Sequence, residues 1–219
     1  YFIFTDKKAL AKITEGPIGR ELLNKLDAKG ILGLAYWDNG FKMMSSNRPI
    51  HVPADMKGLK MRIQASKVLD EQMRVLGANP QVMAFSEVYQ ALQSGVVDGA
   101  ENPPSNLYTQ KMHEVQKHLT VTNHGYIGYA VIVNKKFWDK LPADVRTQLD
   151  SAMREASKYA NTIAQQENDR ALEAVKKAGT TTVYVPNEKE KAAWQAALLP
   201  VQKTMEDRIG KDLIAAVNK

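Results

Sequence analysis

The 219-residue chain contains no cysteine. That excludes disulfides and thiol nucleophiles, and it removes the ligand that most structural zinc sites rely on. Only four histidines are present, and His113 and His118 are spaced wrongly for two ligands on one helical face. No metal or cofactor constellation is legible. No apolar run approaches the ~20 residues needed to span a bilayer. There is no basic block interleaved with aromatics, although the formal net charge is +6. Lys and Arg are interspersed with Asp and Glu, as in Lys189-Glu190-Lys191, so the excess reads as solvated helix faces rather than a nucleic-acid surface. G-x-S-x-G, H-E-x-x-H, Walker A and dinucleotide glycine motifs are all missing. Internal repeats and low-complexity segments are missing as well.

What is present is concentrated between Gly58 and Asn106. LKMRIQ reads as a strand, and Ser66 can cap a helix with Leu69, Met73 and Leu76 on one face, stopped by Gly77. Gln81–Ala84 reads as extended, Ser86 as the cap of a second helix closed at Gly95, and Val96-Val97 as a short buried strand turning at Asp98-Gly99. Such alternation predicts an α/β fold with a parallel sheet. Ligands of open parallel sheets sit at the carboxyl ends of the strands. Arg62, Phe85 and Asn102 fall at or just beyond three such ends. A guanidinium, a ring and an amide suit a carboxylate: the arginine fork gives two charge-assisted bonds and the amide adds a donor and an acceptor. Each residue also has a plain structural use. Arg62 could pair with an aspartate, Phe85 could be core, Asn102 could serve the turn before Pro103-Pro104, and Ser66 could be a cap alone.

The block K-G-L-K-M-R, then M-A-F-S-E-V-Y-Q-A-L-Q-S-G-V-V-D-G, then E-N-P resembles the solute-binding subunit of TRAP transporters, the DctP family. The resemblance runs from about Gly16 to the C-terminus. K-M-R-I-Q-A-S-K-V-L, E-N-P-P-S-N and T-N-H-G-Y look most like the C4-dicarboxylate binders. It implies a two-lobed, periplasmic-binding-protein-like α/β fold with a long helix bracing both lobes. Residues 1–39 and 128–167 would form one lobe, and 40–127 with 168–219 the other. The family carries further N-terminal strands before this point, so the first lobe is expected to be incomplete, with dimerisation through its exposed surface as one consequence. The implied site is Arg62 on a solute carboxylate, with Asn102 and Phe85 beside it and Ser66 close by at a helix N-terminus. Lys42 stands where many members have arginine. It reads either as a second cation for the far carboxylate of a diacid or as a solvated strand-edge lysine. The implied setting is the periplasm, with DctQ- and DctM-type membrane subunits as partners and no cofactor.

Elsewhere the pattern predicts an apolar opening at 1–5, a helix capped by Asp6 and another opening at Pro17. A strand ILGLAYW should turn at Asp38-Asn39-Gly40 into Phe41–Met44. A helix from Ser105 to about Lys117 and a strand Leu119–Asn123 should follow. A turn at His124-Gly125-Tyr126 should then lead to a buried strand Ala130–Val133. Pro142 opens a 3.6-period pattern running to about residue 178, roughly 50 Å of helix. Asn187 and Glu190 form a capping box, and Pro200 is expected to kink or break its helix. Two further classes compete with a binding protein. An enzyme with an arginine clamp would convert its acid, and a sensory module would be fused to a signalling domain.

Overall fold

A computed structural model describes residues 6–217; the apolar opening at 1–5 lies outside them. In chain order the elements are α1 (Lys7–Thr14), α2 (Pro17–Asn24), β1 (Ile31–Ser46), β2 (Lys60–Ile63), α3 (Lys67–Val75), β3 (Asn79–Val82), α4 (Val88–Gln93), β4 (Gly99–Asn102), α5 (Pro104–Thr109), β5 (His118–Asn134), α6 (Lys135–Lys140), α7 (Ala143–Ala178), β6 (Thr182–Tyr184), α8 (Glu188–Thr204), α9 (Glu206–Ile209) and α10 (Lys211–Val217). The fold is α/β, and the chain divides into two compact units. One holds residues 41–126 and 168–217, the other 6–40 and 127–167.

Local chemistry sets many boundaries. Asp6 accepts the Ala9 N–H at 2.8 Å and starts α1. Ser66 Oγ accepts the Leu69 N–H and starts α3. Asn187 and Glu190 bond reciprocally, at 3.1 and 2.8 Å, and start α8. That helix then runs through Pro200 to Thr204 without the expected break. α7 extends over 36 residues and stops where Gly179 adopts φ 69°.

Several expected turns did not form. Asp38-Asn39-Gly40 lies inside the continuous strand β1. There the Asp38 N–H donates to Asn161 Oδ1 at 2.8 Å, and the Asn39 amide donates to the Tyr129 hydroxyl. The polar groups that usually fold back on a turn are satisfied by neighbours instead. His124-Gly125-Tyr126 likewise lies inside β5, whose residues 130–133 are exposed or half-buried rather than buried. Ser86 caps nothing: a 3-10 turn, Phe85–Glu87, precedes α4, and Glu87 accepts the Ala84 N–H. The helix expected from Ser105 ends at Thr109, because Lys111 turns left-handed at φ 55°.

The strand expected at Val96-Val97 begins three residues later, where a turn was expected. Asp98 organises this shift by accepting the Lys60 N–H at 2.8 Å and the Asn47 amide at 3.2 Å. Gly99 then enters the sheet because nothing larger fits. A Cβ there would lie 2.3 Å from the Ser45 carbonyl oxygen and 2.9 Å from Met61 Sδ. Gly99→Ala is expected to destabilise the fold by about 3 kcal/mol, measured as a lower urea midpoint with an unchanged slope.

The strand order is β3-β2-β4-β1-β5-β6. β2 is parallel to β3 and to β4, β5 is parallel to β6, and β1 is antiparallel to β4, so the sheet is mixed rather than wholly parallel. In the first unit the sheet carries two apolar clusters. One joins Met44, Met61 and Ile63 to Met73 of α3 and Trp194 and Leu198 of α8. The other joins Met43 and Ala100 to Val88, Leu92, Leu107, Met112 and Val175. The second unit buries far less: among the described residues its buried large apolar side chains are Leu10 and Leu23. A cavity of about 1070 Å³ within this unit is lined by both charge signs, including Lys7, Arg20, Asp38 and Arg154.

Candidate functional site

The register of the first unit decides what can meet what. Arg62 lies across from Ala100, and Met43 across from Asn102. Side chains alternate along a strand, and directly paired residues share a face. Arg62, Ala100, Asn102 and Met43 therefore occupy one face. Met44 lies across from Glu101, so Lys42, Met44 and Glu101 occupy the other.

On the first face Arg62 is buried, with 2% exposure. Its Nε and Nη2 donate to the Met83 carbonyl at 3.1 and 2.8 Å. The bond fills the side edge of the guanidinium, and Nη1 makes no hydrogen bond among the described residues. No carboxylate lies within ion-pair distance of it in that set. Phe85, which follows β3 in its short 3-10 turn and is partly exposed, sits with its ring 5.7 Å below the guanidinium carbon. Burial lowers the Arg62 pKa, with the more distant Glu101 charge opposing the shift; a guanidinium remains charged all the same. Asn102 closes β4 on this face, 2% exposed, and its Nδ2 donates to Met112 Sδ at 3.6 Å. Ser66 is committed to its cap.

Lys42 does not join them. Its ammonium pairs with Glu101 Oε1 on the opposite face, with both side chains almost wholly buried. The lysine is spent within the protein, against the expectation that it would meet the far carboxylate. The second Glu101 oxygen lies 2.7 Å from His124 Nε2, and His124 Nδ1 lies 2.6 Å from Thr122 Oγ1. A carboxylate only accepts, so Nε2 carries the proton and Nδ1 accepts from the threonine hydroxyl. Burial lowers the His124 pKa, so the ring is neutral. The network is charge-balanced, and Arg62 is left as the buried cation without an ion-pair partner among the described residues.

This network makes folding pH-dependent. Burial pushes the Glu101 carboxyl up, but the Lys42 charge and the His124 hydrogen bond outweigh it and hold the group at about 2. An unfolded chain takes up this proton near pH 4.5, whereas the folded protein resists until about pH 2. The stabilisation is therefore intact above pH 4.5 and fades as the pH falls towards 2. Neutral His124 adds a loss of the same sign below its ordinary 6.5. Urea denaturation across this range should show falling stability, and Glu101→Gln should flatten the part below pH 4.5.

Sequence reasoning missed Glu101, Thr122, Met112 and the Met83 carbonyl, and placed His124 in a turn. Glu101 sits in a strand whose four residues are all buried, where a carboxylate needs a cation, but that burial is not legible in the sequence.

A family model, "Bacterial extracellular solute-binding protein, family 7" (DctP), matches residues 1–208. The chain belongs to the DctP family. DctP relatives include the C4-dicarboxylate-binding periplasmic protein DctP of Rhodobacter capsulatus, 64% identical over 99% of this chain and 65% of that protein. The C4-dicarboxylate-binding protein DctB of Bacillus subtilis is 40% identical over 97% of this chain and 61% of its own length. The chain thus spans a little under two thirds of these relatives. Among solved structures, a TRAP periplasmic solute-binding protein of Sulfurospirillum deleyianum with bound succinate is 46% identical, with a TM-score of 0.92 over 99% of this chain and 71% of that one. Another from Pseudomonas aeruginosa, with bound L-malate, is 39% identical, with a TM-score of 0.90 over 93% of this chain and 71% of that one. These two solved relatives are TRAP periplasmic solute-binding proteins. Among the described residues no helix is long and apolar enough to cross a membrane.

Proposed function

We propose that this DctP-family chain is the solute-recognising part of a periplasmic TRAP binding protein for a C4-dicarboxylate such as succinate, malate or fumarate. The observation that carries the proposal is a buried guanidinium with no acidic partner among the described residues. Its side edge is held by Met83, and Nη1 with the second Nη2 hydrogen is left to meet a solute carboxylate end-on. Such a charge is costly to bury unless an anion arrives to pair with it. Asn102, on the same face, supplies an amide to the solute, and Phe85 supports the guanidinium from beneath.

The acids bound by solved relatives fit this division of labour. They include succinate, L-malate, orotic acid and galacturonate, which share a carboxylate and little else. A common arginine suits the common group, and the 64% identity to a C4-dicarboxylate binder favours a C4 diacid here. Lys42 serves this site indirectly, as the counter-ion that lets Glu101 remain charged beneath it. In the whole protein the loaded form delivers solute to DctQ- and DctM-type membrane subunits.

Succinate has about eight heavy atoms, which caps its binding free energy near −12 kcal/mol. Calorimetric titration of the intact protein against C4 diacids, monoacids and sugar acids tests the proposal. Tight, unaltered recovery of a C4 diacid is the expected result. Conversion of the acid to a product would favour an enzyme, and binding of none of these acids would remove the proposal.

A further inference from the structure

We infer that Met112 is a positioning residue that fixes the orientation of the Asn102 amide for the solute. This rests on the proposed role of Asn102 as a solute contact. A primary amide offers two donor hydrogens and an acceptor oxygen, and when buried it normally finds partners for them. In this protein the bond Asn102 makes among the described residues is to the Met112 thioether, at 3.6 Å. The second Nδ2 hydrogen and Oδ1 make none in that set. Both sit on the face of the sheet that carries Arg62.

The sulfur is well suited to this task. A thioether accepts and does not donate, so it selects the orientation that turns Nδ2, not Oδ1, towards Met112. It is also a weak acceptor that uses a single hydrogen and leaves the rest of the amide free. Its own position is firm. Met112 is fully buried and opens a 3-10 turn, Met112–Glu114, entered through left-handed Lys111. The turn is tied down from outside: Thr181 Oγ1 lies 2.7 Å from the His113 carbonyl and 2.9 Å from that of Gln116. Fixed in this way, the amide presents an N–H to a carboxylate oxygen and a carbonyl to a solute hydroxyl. Without the sulfur it can rotate about its terminal bond, and half of its orientations turn the wrong atom to the carboxylate.

The test is a double-mutant cycle on the intact protein, read by calorimetry with succinate. Met112→Leu keeps the volume and removes the acceptor, a swap that cores tolerate. The single variant is expected to bind succinate roughly threefold to tenfold more weakly, the range for one lost neutral hydrogen bond. Its ligand-free thermal midpoint should stay close to that of the parent. In an Asn102→Ala background the same substitution should change affinity by less than about twofold, because there is no amide left to orient. An unchanged affinity in Met112→Leu overturns the inference. So does an equal loss in both backgrounds, which would mean a packing effect unrelated to Asn102. If Asn102→Ala alone binds succinate as tightly as the parent, Asn102 is no solute contact, and the inference falls with it while the Arg62 proposal stands.

Discussion

Arg62→Ala is expected to remove measurable dicarboxylate binding. Taking away one member of a buried, desolvated ion pair costs about 3–5 kcal/mol, which is roughly a hundredfold to several-thousandfold in affinity. The loss falls on binding because the guanidinium makes no ion pair with a described residue that folding would also lose. Arg62→Lys should fare little better. An ammonium cannot hold the Met83 carbonyl with one edge and a carboxylate with another in a planar fork. Titration calorimetry with succinate reads both variants. Parental affinity in Arg62→Ala would remove the arginine from the site.

Lys42→Met should instead unfold the protein more easily. It leaves Glu101 charged, buried and without its cation, a loss of about 3–5 kcal/mol, read as a lower urea midpoint. The companion variant separates charge from packing. With Glu101→Gln added, no charge is stranded, and the glutamine carbonyl can still accept the His124 N–H. The double variant should recover most of the loss. If Lys42 instead met the far carboxylate directly, Lys42→Met would leave stability near parental and weaken diacids far more than monoacids. Equal weakening of both, together with lowered stability, is expected.

Local rules were legible wherever a side chain acts on its own backbone. Asp6, Ser66, Asn187 and Glu190 could be assigned to helix starts from spacing alone, and the apolar period of α7 gave its full length. Arg62 could be placed near the end of its strand from the LKMRIQ pattern, but the strand that carries Asn102 was read three residues too early. What failed was everything decided by a distant partner. Asp38-Asn39-Gly40 carries turn chemistry, but Asn161 and Tyr129 satisfy it from ninety or more positions away. Lys42 could be placed on a strand, but not on a face relative to Arg62, because that depends on the register of β1 against β4. The Lys42, Glu101, His124 and Thr122 network draws on three strands, and nothing in their local spacing announces it.

The small hydrophobic content hidden by residues 6–40 and 127–167 has a further consequence. Leu10 and Leu23 are its large buried apolar groups among the described residues, while Tyr129, Ile132, Phe137, Leu149 and Tyr159 face water. Local opening there costs little, since few contacts are given up. Deuterium uptake should therefore be fast along α1, α2 and the first half of α7, and slow by orders of magnitude in β2 and β4.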